Sequence, residues 1–305
     1  MSDLKAYTES LTALIEMYAP GVTPPPYALT EFSLVMESKA GCGATLQFIN
    51  SLWTAELLGE NQVGGYFAAV DAFALANSNY TCKDGDTGRG DYSDYGVLSK
   101  DFPATNAEPS PQYYTYALFD LAYGEAVYNA TSSDSNLLAY ASLFSGGEIG
   151  LVLINKDVNN ARDAAIDAVA AALSCDTNTN VLVNGWILTS GDSAGLSATS
   201  AKWNGIANAL SKSSKNTLSS YAPYSMSANV SSGSITLTVP AGSVLGAVLY
   251  ACSSDPLQLP SVPQKERLRG STRQIKRHQE EEEQAMLQVS MDSSTMEFKT
   301  DETEL

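Results

Sequence analysis

Hydrophobic and polar positions alternate along the chain in two different periods, and the change falls near the middle. In the first part the period is mainly helical. Leu4, Tyr7, Leu11, Leu14, Ile15 and Tyr18 recur on one stripe and predict a helix over residues 3–18, with Ser2 or Asp3 as its cap. The run Pro26-Tyr27-Ala28-Leu29-Thr30-Glu31-Phe32 is apolar, β-prone and preceded by three prolines, so it predicts a strand that ends in one carboxylate. A second helix is predicted over residues 45–59 from Leu46, Ile49, Leu52, Trp53, Ala55 and Leu57, with Gly59 as its stop. Val63 to Phe73 reads as the next strand. Ser110 and Pro111 open a third helix with Tyr114, Ala117, Leu118 and Leu121 on one side. An order of helix, strand, helix, strand, helix, with strands apolar on both faces, predicts a parallel α/β sheet.

Past Gly124 the pattern becomes short β-type runs. These are residues 137–144, 148–154, 181–188, 234–239 and 244–250, separated by Ser145-Gly146-Gly147, Ser231-Ser232-Gly233 and Ala241-Gly242. Such spacing predicts a β-sandwich. Residues 161–173 stay open between strand and helix, because the alanines favour helix. From Ser253 apolar residues become sparse. Six basic residues in 264–277 precede four glutamates at 280–283, and the segment predicts a disordered tail. The expected organisation is residues 1–124, 125–253 and 254–305: α/β, then all-β, then tail.

Composition narrows the function classes. The 305 residues carry a formal charge of −17, which disfavours nucleic acid as a partner. No apolar run is long enough to span a bilayer. The lone histidine, His278, lies in the tail, so no Ser-His-Asp, Cys-His or histidine-metal chemistry is expected in the folded body. No cofactor is expected. Four cysteines and the sequons at Asn79, Asn129 and Asn229 point to the secretory pathway or the extracellular space, although Met1-Ser2-Asp3-Leu4-Lys5 is no signal peptide. A cytosolic protein with chance sequons is the plainer alternative. Asp84, Asp86, Asp91 and Asp94 are hard ligands of the kind calcium takes, but Gly88 interrupts the spacing and a solvated acidic turn fits better. Arg89-Gly90-Asp91 is a tripeptide common by chance.

Several stretches together resemble the last two strands and helices of a retaining (β/α)8-barrel glycoside hydrolase with its C-terminal β-sandwich. They are Tyr18-Ala19-Pro20-Gly21, Ala28-Leu29-Thr30-Glu31-Phe32, Ser51-Leu52-Trp53-Thr54-Ala55-Glu56-Leu57-Leu58-Gly59, Tyr95-Gly96-Val97-Leu98 and Pro111-Gln112-Tyr113-Tyr114 with Leu118-Phe119. The pattern is similar to the heparanase and β-glucuronidase group and to the family 44 type endoglucanases, over roughly residues 1 to 250. The resemblance implies a partial barrel, a polysaccharide or glycoside substrate, and Glu31 as nucleophile at the end of the penultimate strand. It places the loops after the two strands on the catalytic face. Tyr92 and Tyr95 are then weak candidates for stacking on a sugar, and Cys42 and Cys82 come close enough to pair. Cys175 and Cys252 would staple the sandwich.

A retaining enzyme needs a second carboxylate about 5–5.5 Å away, and the family supplies it from an earlier strand, commonly after Asn. This chain has no Asn-Glu pair. A barrel needs about eight strands. The expectation is therefore a C-terminal portion of a longer enzyme, inactive by itself, whose missing barrel strands and acid/base residue lie in an N-terminal part. The alternative is a secreted, non-catalytic carbohydrate-binding or structural sandwich protein. The composition of the tail gives a first expected outcome. Limited trypsin digestion should remove residues after about Pro256 well before it cuts the sandwich strands. Mass spectrometry of the surviving core checks this, and a tail as resistant as the strands contradicts it.

Overall fold

A computed structural model describes residues 2–32, 47–72, 74–76, 96–98, 109–128, 130–167, 169–176, 179–198, 200–207, 223–231 and 233–253. They belong to one compact unit, Met1–Leu257. Helix and sheet are mixed within it.

The first part holds α1 (Ser2–Tyr18), β1 (Ala28–Phe32), α2 (Phe48–Gly64), β2 (Ala69–Ala72), β3 (Ala74–Ala76), β4 (Gly96–Leu98) and α3 (Pro111–Ala122). β1 pairs with β2 in parallel, and α2 is the crossover between them. β3 pairs with β4, also in parallel. Helix α2 runs past Gly59 and ends where Gly65 turns left-handed at φ 58°, its N–H donating to the Asn61 carbonyl at 2.8 Å. The expected stop at Gly59 is thus corrected. Gly59 sits against the ring of Tyr140, where any Cβ would overlap it, so close approach and not helix termination explains the glycine. The strand expected from Val63 consequently starts later, at Ala69. Asn61 clamps the turn between them. Its Nδ2 donates to the Phe67 carbonyl at 3.1 Å, and Phe67 N–H donates to its Oδ1 at 2.9 Å. Helix α3 begins with Ser110 and Pro111 as expected, though the Ser110 side chain makes no capping hydrogen bond.

The second part holds β5 (Ala126–Tyr128), β6 (Leu137–Leu143), β7 (Ile149–Asn155), β8 (Arg162–Ile166), α4 (Val169–Ala172), β9 (Asn180–Ser190), β10 (Ala201–Trp203), β11 (Ile206–Ala207), β12 (Tyr224–Asn229), β13 (Ile235–Val239) and β14 (Ser243–Ser253). The ambiguous stretch 161–173 resolves into both choices, a strand and then one helical turn. Among the described residues an eight-stranded sheet runs β11-β10-β9-β14-β7-β6-β5, with β12 on the free edge of β9. β8 and β13 form a separate antiparallel pair.

The large sheet is covered on both faces. On β14, Leu245, Ala247 and Leu249 join Leu151, Leu153, Val181 and Val183 in a core closed by Ala164, Ile235, Leu237 and Val239 of the β8–β13 pair. The intervening positions, Val244, Gly246 and Val248, face the other way and are buried too. That face meets α2 and α3. A Cβ on Gly246 would lie 2.7 Å from Ala122 Cβ and 2.9 Å from Leu118 Cδ2, so the sheet and α3 touch backbone-close there. Tyr114 of α3 meets Trp203 of β10 with ring centroids 6.1 Å apart. Phe48 N–H at the start of α2 donates to the Ala198 carbonyl at 2.7 Å.

Polar groups fix the edges of both layers. Asn155 is fully buried, and its Nδ2 donates to the carbonyls of Asn160, Val239 and Pro240, which ties β7 to the β8–β13 layer. Asp157 beyond it accepts from the Asn159 backbone, from Asn160 and from Arg162, and these bonds hold its carboxyl well below the usual carboxylate range. On the helix side Tyr140 OH donates to Glu60 Oε1 at 3.0 Å, and Lys156 pairs with Glu56 at 3.6 Å. Tyr123 OH donates to the Ala141 carbonyl at 3.2 Å.

Burial pushes the Tyr123 phenol up to about 12, and burial with the Glu60 carboxylate pushes Tyr140 up as well. The folded protein therefore keeps two protons that the unfolded chain releases above about pH 10. Stability from this source is complete below that pH and falls as pH rises towards 12. Urea unfolding across this range should show the loss, and Tyr123→Phe with Tyr140→Phe should flatten the profile.

Candidate active site

Glu31 lies at the carboxyl end of β1, the place where the residues predicted it. In parallel α/β architecture that end of a strand carries binding and catalytic groups, because loops there converge. The β1–β2 ladder is irregular at this point. Leu29 faces Val70 and Phe32 faces Ala72, so three steps on β1 match two on β2. One extra residue is accommodated at Thr30-Glu31. Such an irregularity breaks the ladder locally.

Ala68 N–H donates to the Tyr27 carbonyl at 2.7 Å, which sets β2 against β1, and α2 between them is anchored to the large sheet. Glu31 is thus carried by a strand whose position depends on α2. Tyr92, Tyr95, Cys42, Cys82 and the aspartates Asp84, Asp86, Asp91 and Asp94 lie outside the described residues.

A cleft of about 540 Å³ lies at the opposite end of the same strands. Thr8, Glu9, Thr12 and Glu16 of α1 form one wall, Pro24 to Tyr27 lead into β1, and Tyr66 and Ala68 lead into β2. Thr12 Oγ1 and Tyr27 OH are 3.1 Å apart across it. Tyr27 and Ala68 immediately precede their strands, so this cleft opens at the amino ends and is not the site of Glu31. Its lining was not foreseen from the residues. The signal was present, since Glu9, Thr12 and Glu16 repeat at helical spacing opposite the apolar stripe.

Cys175 and Cys252 form a disulfide with Cα atoms 5.6 Å apart, as expected. It joins the segment after α4 to β14. Among the described residues no group of three or more His, Cys, Asp or Glu has metal-binding geometry, and no helix is long and apolar enough to cross a membrane.

No protein-family model matches the chain, and no curated protein sequence does either. The chain matches parts of several solved structures of glycoside hydrolases. One is CelM2, a bifunctional glucanase-xylanase from a metagenome library, at 16% identity over 80% of this chain and 34% of that one, with a TM-score of 0.43. A Paenibacillus polymyxa xyloglucanase of glycoside hydrolase family 44 is 18% identical over 80% of this chain and 35% of its own, with a TM-score of 0.46. A family 51 arabinofuranosidase from Xanthomonas axonopodis pv. citri is 14% identical over 81% and 46%, with a TM-score of 0.47. The chain spans less than half the length of each of these structures.

The disulfide closes a long loop, its cysteines 77 positions apart in the sequence. Cys175→Ser with Cys252→Ser should lower unfolding stability by about 2–4 kcal/mol. The urea midpoint of oxidised protein, compared with that of the variant, measures it.

Proposed function

We propose that this chain is the C-terminal portion of a retaining glycoside hydrolase acting on a polysaccharide or glycoside, with Glu31 as its nucleophile. The observation that carries the reading is a carboxylate at a bulge on the carboxyl end of a parallel strand. The resemblance of Ala28-Leu29-Thr30-Glu31-Phe32 and of the helix around Leu52-Trp53 to the retaining barrel hydrolases supports it. In this reading residues 1–124 contribute the last barrel strands and helices, and 125–253 an accessory sandwich. Tyr92 and Tyr95 contact sugar. The Cys175–Cys252 disulfide fits an oxidising compartment, hence a secreted enzyme.

The chemistry is double displacement. The ionised Glu31 carboxylate attacks the anomeric carbon and forms a glycosyl ester while a carboxylic acid protonates the departing oxygen. That second group, then a carboxylate, takes a proton from water, which attacks the ester and frees Glu31. The acid/base group needs a raised pKa and comes from outside this chain.

Residues 1–305 alone should hydrolyse no aryl glycoside or polysaccharide measurably. The complete enzyme should do so and should lose nearly all activity on Glu31→Gln, which keeps the shape and removes the attacking charge. A 2-fluoroglycoside inactivator should label Glu31. Label on another carboxylate, or full activity in Glu31→Gln, refutes the assignment.

A further inference from the structure

One end of the eight-stranded sheet is β5, and β5 is bare. It pairs with β6 on one side, and among the described residues no strand lies on its other side. All three of its residues are exposed, Val127 at 40% and Tyr128 at 54%. Such an edge offers unpaired N–H and C=O groups beside apolar side chains, so a second copy of the chain can pair with it. Natural edges are blunted by charge, proline, a bulge or a cover. Ala126, Val127 and Tyr128 supply no charge and no proline, and their register with β6 runs without a bulge. The shortness of β5 limits the ladder, but its two apolar side chains remain in solvent.

The next residues in the chain supply the means of a cover. Asn129-Ala130-Thr131 is an acceptor sequence for N-linked sugar, and it begins where β5 ends. Asn129 itself lies outside the described residues. Ala130 belongs to no strand, and Thr131, Ser132 and Ser133 are exposed. Beyond them the loop closes on itself. Asp134 N–H donates to Ser132 Oγ at 3.2 Å, and Asn136 N–H donates to Asp134 Oδ1 at 2.9 Å. Ala130 and Thr131 are thus clear of the sheet. The acceptor sequence at Asn229 differs. Asn229 stands opposite Asn180 in the β12–β9 ladder, Val230 is fully buried, and Ser231 bridges to Ser234. Asn79 lies outside the described residues.

We infer that Asn129 carries an N-linked oligosaccharide and that this sugar shields the β5 edge from pairing with a second copy of the chain. The sugar comes from a lipid-diphosphate-linked oligosaccharide of the secretory pathway. The Asn129 amide nitrogen forms a bond to the anomeric carbon of that sugar and loses a proton. The bond from the same carbon to the diphosphate oxygen breaks, and the lipid diphosphate leaves. A bulky, hydrated group joined directly after a three-residue strand obstructs any chain that approaches its edge. The inference rests on the secreted reading of the protein and not on Glu31.

Occupancy is read on the protein purified from its natural source. Enzymatic removal of N-linked sugar in heavy-oxygen water turns a glycosylated asparagine into labelled aspartate, and peptide mass spectrometry should find the label at Asn129. No label there, in protein whose Cys175–Cys252 disulfide is formed, overturns the inference and leaves secretion standing. Neither sugar nor disulfide overturns both. Shielding is read on the chain secreted from a eukaryotic host behind an added leader. Asn129→Gln and Thr131→Ala each remove the sugar through a different residue, and trimming the folded glycoprotein with an endoglycosidase does so without a substitution. By analytical ultracentrifugation all three should self-associate roughly tenfold more tightly than the glycosylated chain, and Val127→Lys added to either variant should restore the monomer. Sugar-free protein that stays as monomeric as the glycosylated chain overturns the shielding, and so does association that Val127→Lys leaves unchanged.

Discussion

The structure depends on a sheet whose central strands are dry on both faces. β14 is its spine, flanked by β7 and β9, and neither side of it meets solvent. Leu245, Ala247 and Leu249 are spoken for by the β8–β13 layer, and Val244, Gly246 and Val248 by the helices. An antiparallel sheet commonly leaves one face wet. Here α2 and α3 take that face. α2 is at once the cover of the sheet and the crossover between β1 and β2, so the strand that ends in Glu31 inherits its place from contacts such as Gly59 on Tyr140.

Strands of the spine were readable because burial on both faces leaves long apolar runs, as in Leu151-Val152-Leu153-Ile154 and Val181-Leu182-Val183. Strand β12, Tyr-Ser-Met-Ser-Ala-Asn, was not readable. Its residues carry little hydrophobic signal, and it forms because β9 is long enough to offer a second stretch of edge. The short β10 and β11 escaped for the same reason. Gly59 misled the reading of α2 because a glycine needed for a neighbouring ring looks, in one dimension, like a helix terminus. In 161–173 both local preferences were right, in succession.

The candidate site was readable only as a position. Thr30-Glu31-Phe32 announces a strand end, but a bulge comes from a ladder count that involves β2, and no local pattern holds it.

The shared face has a consequence for descent. Modules joined by a linker can be shuffled between genes, because each brings a finished surface. The sheet here is unfinished without α2 and α3, and those helices are unfinished without the sheet, since Leu118 and Ala122 meet Gly246 at backbone distance. Recombination that moved either part alone would carry half of a fitted joint into a stranger. Lineages of this protein should therefore vary by exchange at loops and tails, while the helix pair and the sheet are passed on together.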